Sequence, residues 1–184
     1  MIRFTKIAFA ALVATVSMAF AVSSASAANA TLTSPSSLTA SSTNLTLTVS
    51  SLATVTGTTS LGVSLTPGAY SSSGTLVQVG SITSAAITVG SPANTTVTPS
   101  NTPWPITWKG ETVSGGLRLY ALNVLLVVRS GVLSKTCTGG FAFSINSAGT
   151  VDTIDSSVTL ACTGSSTATL AGSLTNSTAV VYNL

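Results

Sequence analysis

Leu45-Thr46-Leu47-Thr48-Val49-Ser50 places an apolar side chain at every second position and a hydroxyl at the positions between. A β-strand turns successive side chains to opposite faces, so this stretch predicts a strand with one face buried and the other wet. Thr suits the wet face, because its branched Cβ fits a pleated surface while its hydroxyl meets water. The same period recurs at Phe141, Phe143 and Ile145, at Val158, Leu160 and Cys162, and at Val180, Tyr182 and Leu184. Between these runs lie turn signals: Pro67-Gly68, Ser73-Gly74, Ser91-Pro92, Pro99-Ser100, Gly115-Gly116, Gly139-Gly140 and Ala148-Gly149. Short strands punctuated this often predict an all-β fold, a single antiparallel β-sandwich or barrel-like domain.

One segment does not alternate. Leu119 to Val128, between Arg118 and Arg129, is continuously apolar except for Asn123. It is too short to cross a membrane as a helix, and a central strand buried on both faces is preferred to a short helix. A lipid-spanning β-barrel is disfavoured, because residues 28–184 hold only seven aromatics, too few for two girdles, and the last residue is Leu184.

The first residues carry an export signal. Arg3 and Lys6 precede an apolar run from Ile7 to Val22, and Ser23-Ser24-Ala25-Ser26-Ala27 supplies the small residues read before cleavage. The expected organisation is a secretory signal peptide over 1–27, cleaved after Ala27 with Ala30 as the alternative, then one Ser/Thr-rich β domain over 28–184. Its size fits one domain with its own core. Ser and Thr exceed a third of its residues, yet the period-two apolar pattern argues for folding rather than disorder.

Charge narrows the function. No Asp, Glu, Lys, Arg or His occurs from Ala28 to Trp108, and His is absent throughout. Without the signal, four cations (Lys109, Arg118, Arg129, Lys135) face three anions (Glu111, Asp152, Asp155). Four scattered cations cannot build a phosphate-tracking stripe, so no nucleic-acid partner is expected. Triads that need His are impossible, and two cysteines without imidazole make a poor zinc site. Lys109-Gly110-Glu111 reads as an exposed turn tip. Asp152 and Asp155 read as a solvated turn, on opposite faces if extended. No cofactor or metal is expected, and the expectation is that the protein is not an enzyme.

Cys137 and Cys162 are the only cysteines, and an exported chain with two oxidises them to each other. Each is followed by Thr-Gly, which suits strand ends stapled beside turns. Thr102-Pro103-Trp104-Pro105-Ile106-Thr107-Trp108 is the most distinctive segment. Period two puts Trp104, Ile106 and Trp108 on one face. Their rings either plug one end of the fold or form an aromatic platform, which makes Trp104 and Trp108 the candidate apolar contacts.

The signal peptide, the Ser/Thr/Val-rich first half, the Pro-Trp segment and the two Cys-Thr-Gly motifs, with Ala171-Gly172-Ser173-Leu174 after them, form a pattern over Pro99 to Leu174. It resembles the small secreted bacterial proteins of the alkane-oxidation activator (PraB-type) group. The resemblance implies an exported cell-surface or extracellular protein, associated with biofilm-like surface contact and growth on hydrophobic substrates, and no catalytic residues. Two functions of different class fit. One is contact with an apolar surface or hydrocarbon. The other is a homo-oligomer, a structural subunit of a fibre, pilus-like or matrix assembly built by strand addition, with Asn44–Thr58 or Ala179–Leu184 as the donor or edge strand.

Overall fold

A computed structural model describes residues 28–33, 37–113 and 116–184. The expected signal peptide lies outside the described residues. The strands are β1 (Ala28–Leu32), β2 (Ser37–Val49), β3 (Ala53–Leu65), β4 (Gly68–Ser72), β5 (Val77–Ser91), β6 (Thr95–Ser100), β7 (Trp104–Val113), β8 (Gly116–Ser130), β9 (Leu133–Ile145), β10 (Val151–Asp155), β11 (Thr159–Cys162), β12 (Ser166–Asn176) and β13 (Tyr182–Asn183).

All ladders are antiparallel, and they close into an eight-stranded barrel. Two of its eight staves are each made of two consecutive strands. β6 and β7 run along successive halves of β8, at Leu125–Ser130 and Gly116–Ala121. β10 and β11 likewise share the space between β9 and β12. The remaining staves, β2, β3, β5, β8, β9 and β12, are single strands. Register shifts between Ser42 and Leu45, Gln78 and Gly80, Trp108 and Thr112, Ala121 and Val124, and Ala171 and Thr175 supply the local twist that curls a sheet shut.

The alternation read from the sequence decides what faces inward. Leu45, Leu47 and Val49 are buried, as are Phe141, Phe143, Ile145, Leu160 and Cys162. Exposed Thr39, Ser41 and Thr48 line the outside of β2. Apolar inside and hydroxyl outside is the reverse of a lipid-spanning barrel. A separate sheet in the order β13-β1-β4 lies over one end. There Ala30, Leu32 and Val180 are buried against the core.

Several expectations are corrected. Leu119–Val128 is not buried on both faces: along β8 the residues alternate between buried and half-exposed, with Asn123 exposed, because a closed barrel has one interior face. Gly139-Gly140 is not a turn but lies inside β9, where a Cβ on Gly140 would come 2.5 Å from the Ala121 carbonyl oxygen. Lys109-Gly110-Glu111 is a bulge inside β7, with Gly110 at φ 89°. Asn44–Thr58 is no edge, since β2 pairs with both β3 and β12, and β3 with both β2 and β5.

Cys137 and Cys162 are bonded and directly opposed, with β9 and β11 paired at these residues. The bridge closes a loop of 25 residues. Replacing both cysteines with alanine is expected to remove about 3 kcal/mol of stability, mainly through the unfolded state. The check is a lower urea midpoint for the double variant than for the oxidised parent, with a steeper slope because its unfolded ensemble is no longer cross-linked.

Candidate functional site

The barrel has two unlike ends. One is covered by the β13-β1-β4 sheet. At the other, four turns meet: Ser50–Leu52, Pro92–Asn94, Gly131–Val132 and Thr163–Ser165. Hydrogen bonds tie these turns to one another or to the adjoining strands. Gly131 N donates to Asn94 O (3.2 Å), Thr163 N to Thr136 O (3.0 Å) and Ser50 N to Thr167 O (2.8 Å).

The β8–β9 hairpin ends in an exposed tip. Ser130 pairs with Leu133, leaving Gly131 and Val132 as a two-residue loop. Gly131, at φ 58°, supplies the positive φ such loops require at their first position, and nothing lies within 4 Å of where its Cβ would be. Val132 then takes the second position with no neighbour over it. It is 100% exposed, and Leu133 beside it is 58% exposed. Exposed aliphatic residues occurring singly are ordinary, whereas Val132 and Leu133 are exposed in sequence at a hairpin tip.

Cations flank that tip. Arg129, exposed, pairs with Ser134, and Lys135 pairs with Val128. Lys135 Nζ donates to Thr163 O at 2.8 Å, which positions the ammonium on the rim of the barrel. No carboxylate lies in any of the four turns.

The other two cations are neutralised elsewhere. Lys109 Nζ is 2.9 Å from Glu111 Oε1, and Arg118 contacts both Glu111 and Asp155. The Tyr120 ring lies between the two cations, 4.9 Å from Lys109 Nζ and 5.5 Å from Arg118 Cζ, and its hydroxyl bonds Glu111. Partial burial pushes the Glu111 carboxyl up, but hydrogen bonds from Tyr120 and Lys109 outweigh it and hold the pKa low. Asp155 is also held low, by hydrogen bonds from Ser157 and then by Arg118. The bulge at Gly110 shifts the register between Trp108 and Thr112, and Lys109 and Glu111 flank it.

Trp104 and Trp108 do not form a surface platform. They are 2% and 1% exposed, on the inward face of β7 with Ile106, and their indole N–H groups donate to Ser100 O (2.9 Å) and Glu111 O (3.0 Å). Both rings belong to the buried core. The period of β7 turns both rings inward together with Ile106.

Asp152 and Asp155 do lie on opposite faces of β10, but only Asp155 is at the surface. Asp152 points inward beside Asn176, whose Nδ2 donates to Asp152 Oδ1 (2.9 Å) and to Gly149 O (3.2 Å). Burial pushes the Asp152 pKa up to about 7 against the opposing pull of that amide. The residue shares its face with Ile154, two positions on, and that spacing was the available sequence signal.

The interior offers little room. Two voids, one lined by Leu38, Leu61, Phe141, Phe143 and Val180 and the other by Leu45, Trp104, Val124 and Leu170, each hold about 20 Å³. That is the space of about one water molecule, far less than a hydrocarbon chain or a small substrate needs. Among the described residues no group of three His, Cys, Asp or Glu is placed to hold a metal ion. No described helix is long and apolar enough to cross a membrane. No family model matches the chain, and neither a curated protein nor a solved structure matches it.

Proposed function

We propose that the protein is a non-enzymatic, exported cell-surface barrel that contacts apolar surfaces through its hairpin end. This follows the resemblance to alkane-oxidation activator (PraB-type) proteins and moves the contact from Trp104 and Trp108 to Val132 and Leu133. The fully exposed Val132 at the hairpin tip carries the reading. A filled interior supports it, because apolar material then has to be met on the outside. The disulfide fits an oxidising compartment such as the cell exterior.

Partitioning of the oxidised protein onto hexadecane droplets tests the proposal. Val132→Asp with Leu133→Asp is expected to weaken droplet association at least about tenfold, since burying one such side chain is worth about 1.5–3 kcal/mol. The thermal midpoint should not move, because neither side chain is packed in the core. Equal partitioning of parent and variant would refute the contact.

Assembly by strand addition is the second reading, favoured by one seam in the barrel. No ladder joins β5 to β6, so β5 from Thr83 to Ser91 is paired only on its β3 side. β6 lies beside that stretch without pairing to it, so a second copy would add its strand there by displacing β6, and not at Asn44–Thr58. The Ala179–Leu184 segment ends in β13, which pairs with β1 in the small sheet. Regular filaments in negative-stain images of the oxidised protein would favour this reading over the first.

A further inference from the structure

We infer that the hairpin end docks on an anionic phospholipid bilayer, with Val132 and Leu133 entering the headgroup layer and Arg129 and Lys135 meeting its phosphates. The inference rests on the apolar-contact reading and names the partner of that contact.

Charge placement carries it. Of the four cations in 28–184, Lys109 and Arg118 are matched by Glu111 and Asp155. Arg129 and Lys135 have no carboxylate partner among the described residues, and both stand beside the only two-residue apolar tip at that end. Lys135 bonds a carbonyl, which orients the charge without cancelling it. The acids are far along the barrel. Asp155 pairs with Ala142 and Asp152 with Ile145, both well down β9 from Lys135. Seven residues of strand separate Lys135 from Ala142, about 23 Å at ~3.3 Å per residue. That exceeds the Debye length of about 8 Å at physiological salt, so the acids do not quench the pair.

A bare hydrocarbon surface gains nothing from two unmatched cations. A layer of phosphates does, and the Arg129 fork suits phosphate oxygens. Two charges are too few to hold a nucleic acid. An apolar tip between cations is what an anionic bilayer surface accepts, with apolar atoms below the phosphates and charges level with them. The barrel stays outside the membrane, since its outer wall is hydroxyl-rich.

The experiment is co-sedimentation of the oxidised mature protein with two kinds of vesicle, phosphatidylcholine alone and equal parts phosphatidylcholine and phosphatidylglycerol. Anionic vesicles are expected to bind about 30-fold more tightly, two charges at about 1 kcal/mol each converted at 1.4 kcal/mol per tenfold. Arg129→Gln with Lys135→Gln should erase that preference, as should about 1 M salt, where the Debye length is ~3 Å. Val132→Asp should weaken binding to anionic vesicles at unchanged salt.

Equal binding to both vesicle types would overturn the anionic partner while leaving apolar contact standing. Binding to anionic vesicles that ignores Val132→Asp would also overturn it, as diffuse attraction without insertion. Failure to bind either vesicle, with hexadecane still bound, would overturn the bilayer alone. Failure on all three surfaces would remove both the inference and the reading beneath it.

Discussion

Trp108→Ala is expected to lower the unfolding free energy by about 3–5 kcal/mol, the range for deleting a large aromatic from a packed interior. Trp108 is among the largest fully buried side chains, on β7 between Val77 of β5 and Leu119 of β8. Its ring supports two adjacent staves, and its Nε1 holds the Glu111 carbonyl at the Gly110 bulge. Trp108→Phe separates these roles. It keeps most of the volume but leaves the Glu111 carbonyl without the indole donor, and about 1–3 kcal/mol should be lost. Urea unfolding followed by far-UV circular dichroism measures both, with the slope checked for constancy. A loss under 1 kcal/mol for the alanine variant would mean that the ring is not packed as described. Loss of surface binding after a tryptophan substitution would therefore report unfolding, which is why the binding tests use Val132 and Arg129.

Stability is expected to fall as pH rises from acid to neutral, with Asp152 as the cause. In the unfolded chain its carboxyl titrates near 3.8, and in the fold near 7. Between those values the folded state holds a proton that the unfolded state has released, so each pH unit costs about 1.4 kcal/mol. Across the window the loss approaches ~4 kcal/mol, and it levels off above pH 7. Glu111 and Asp155 act in the opposite sense. Their pKa values are depressed, so their contribution is lost only as pH falls through the acid range. Asp152→Asn should flatten the profile and leave the variant more stable than the parent above neutrality. The amide imitates the neutral acid, and its own Nδ2 can donate to Asn176 Oδ1, a buried oxygen with no donor among the described residues. The check is the urea midpoint at intervals from about pH 5 to about pH 8. A parent profile that stays flat over that range would show that the carboxyl is not desolvated.

Period two made the strands legible, and the buried faces of β2, β9 and β11 are those that Leu45, Phe141 and Leu160 announce. Closure was not legible, because a sandwich and a barrel bury the same alternate positions. The difference lies in bulges such as those at Ser42–Leu45 and Trp108–Thr112, which leave no mark in the alternation. Lys109-Gly110-Glu111 looked like a turn for the same reason, since a bulge glycine and a turn glycine both supply positive φ. Trp104 and Trp108 were correctly placed on one face, but period alone does not say whether that face looks inward. The hairpin tip hid in a hydrophobic stretch, where Ser130-Gly131 was its one punctuation mark. Arg129 and Lys135 on either side were visible, but their isolation from every carboxylate depends on how the staves are aligned.

The ladder between β2 and β12 has a consequence for how the chain becomes folded. Residues 40–49 pair with residues 168–176, so the ring is sealed by partners from opposite ends of the polypeptide. β1 likewise waits for β13, whose residues 182 and 183 are almost the last in the chain. The β8–β9 hairpin is local and can form early, but it cannot bury its inner face alone. Joining such distant segments places folding in the slow regime, about milliseconds to seconds, and no partial chain lacking β12 can complete the circle. A chain made from its amino end is thereby kept open until β12 has emerged, and the sealing of the barrel becomes a late event of its synthesis.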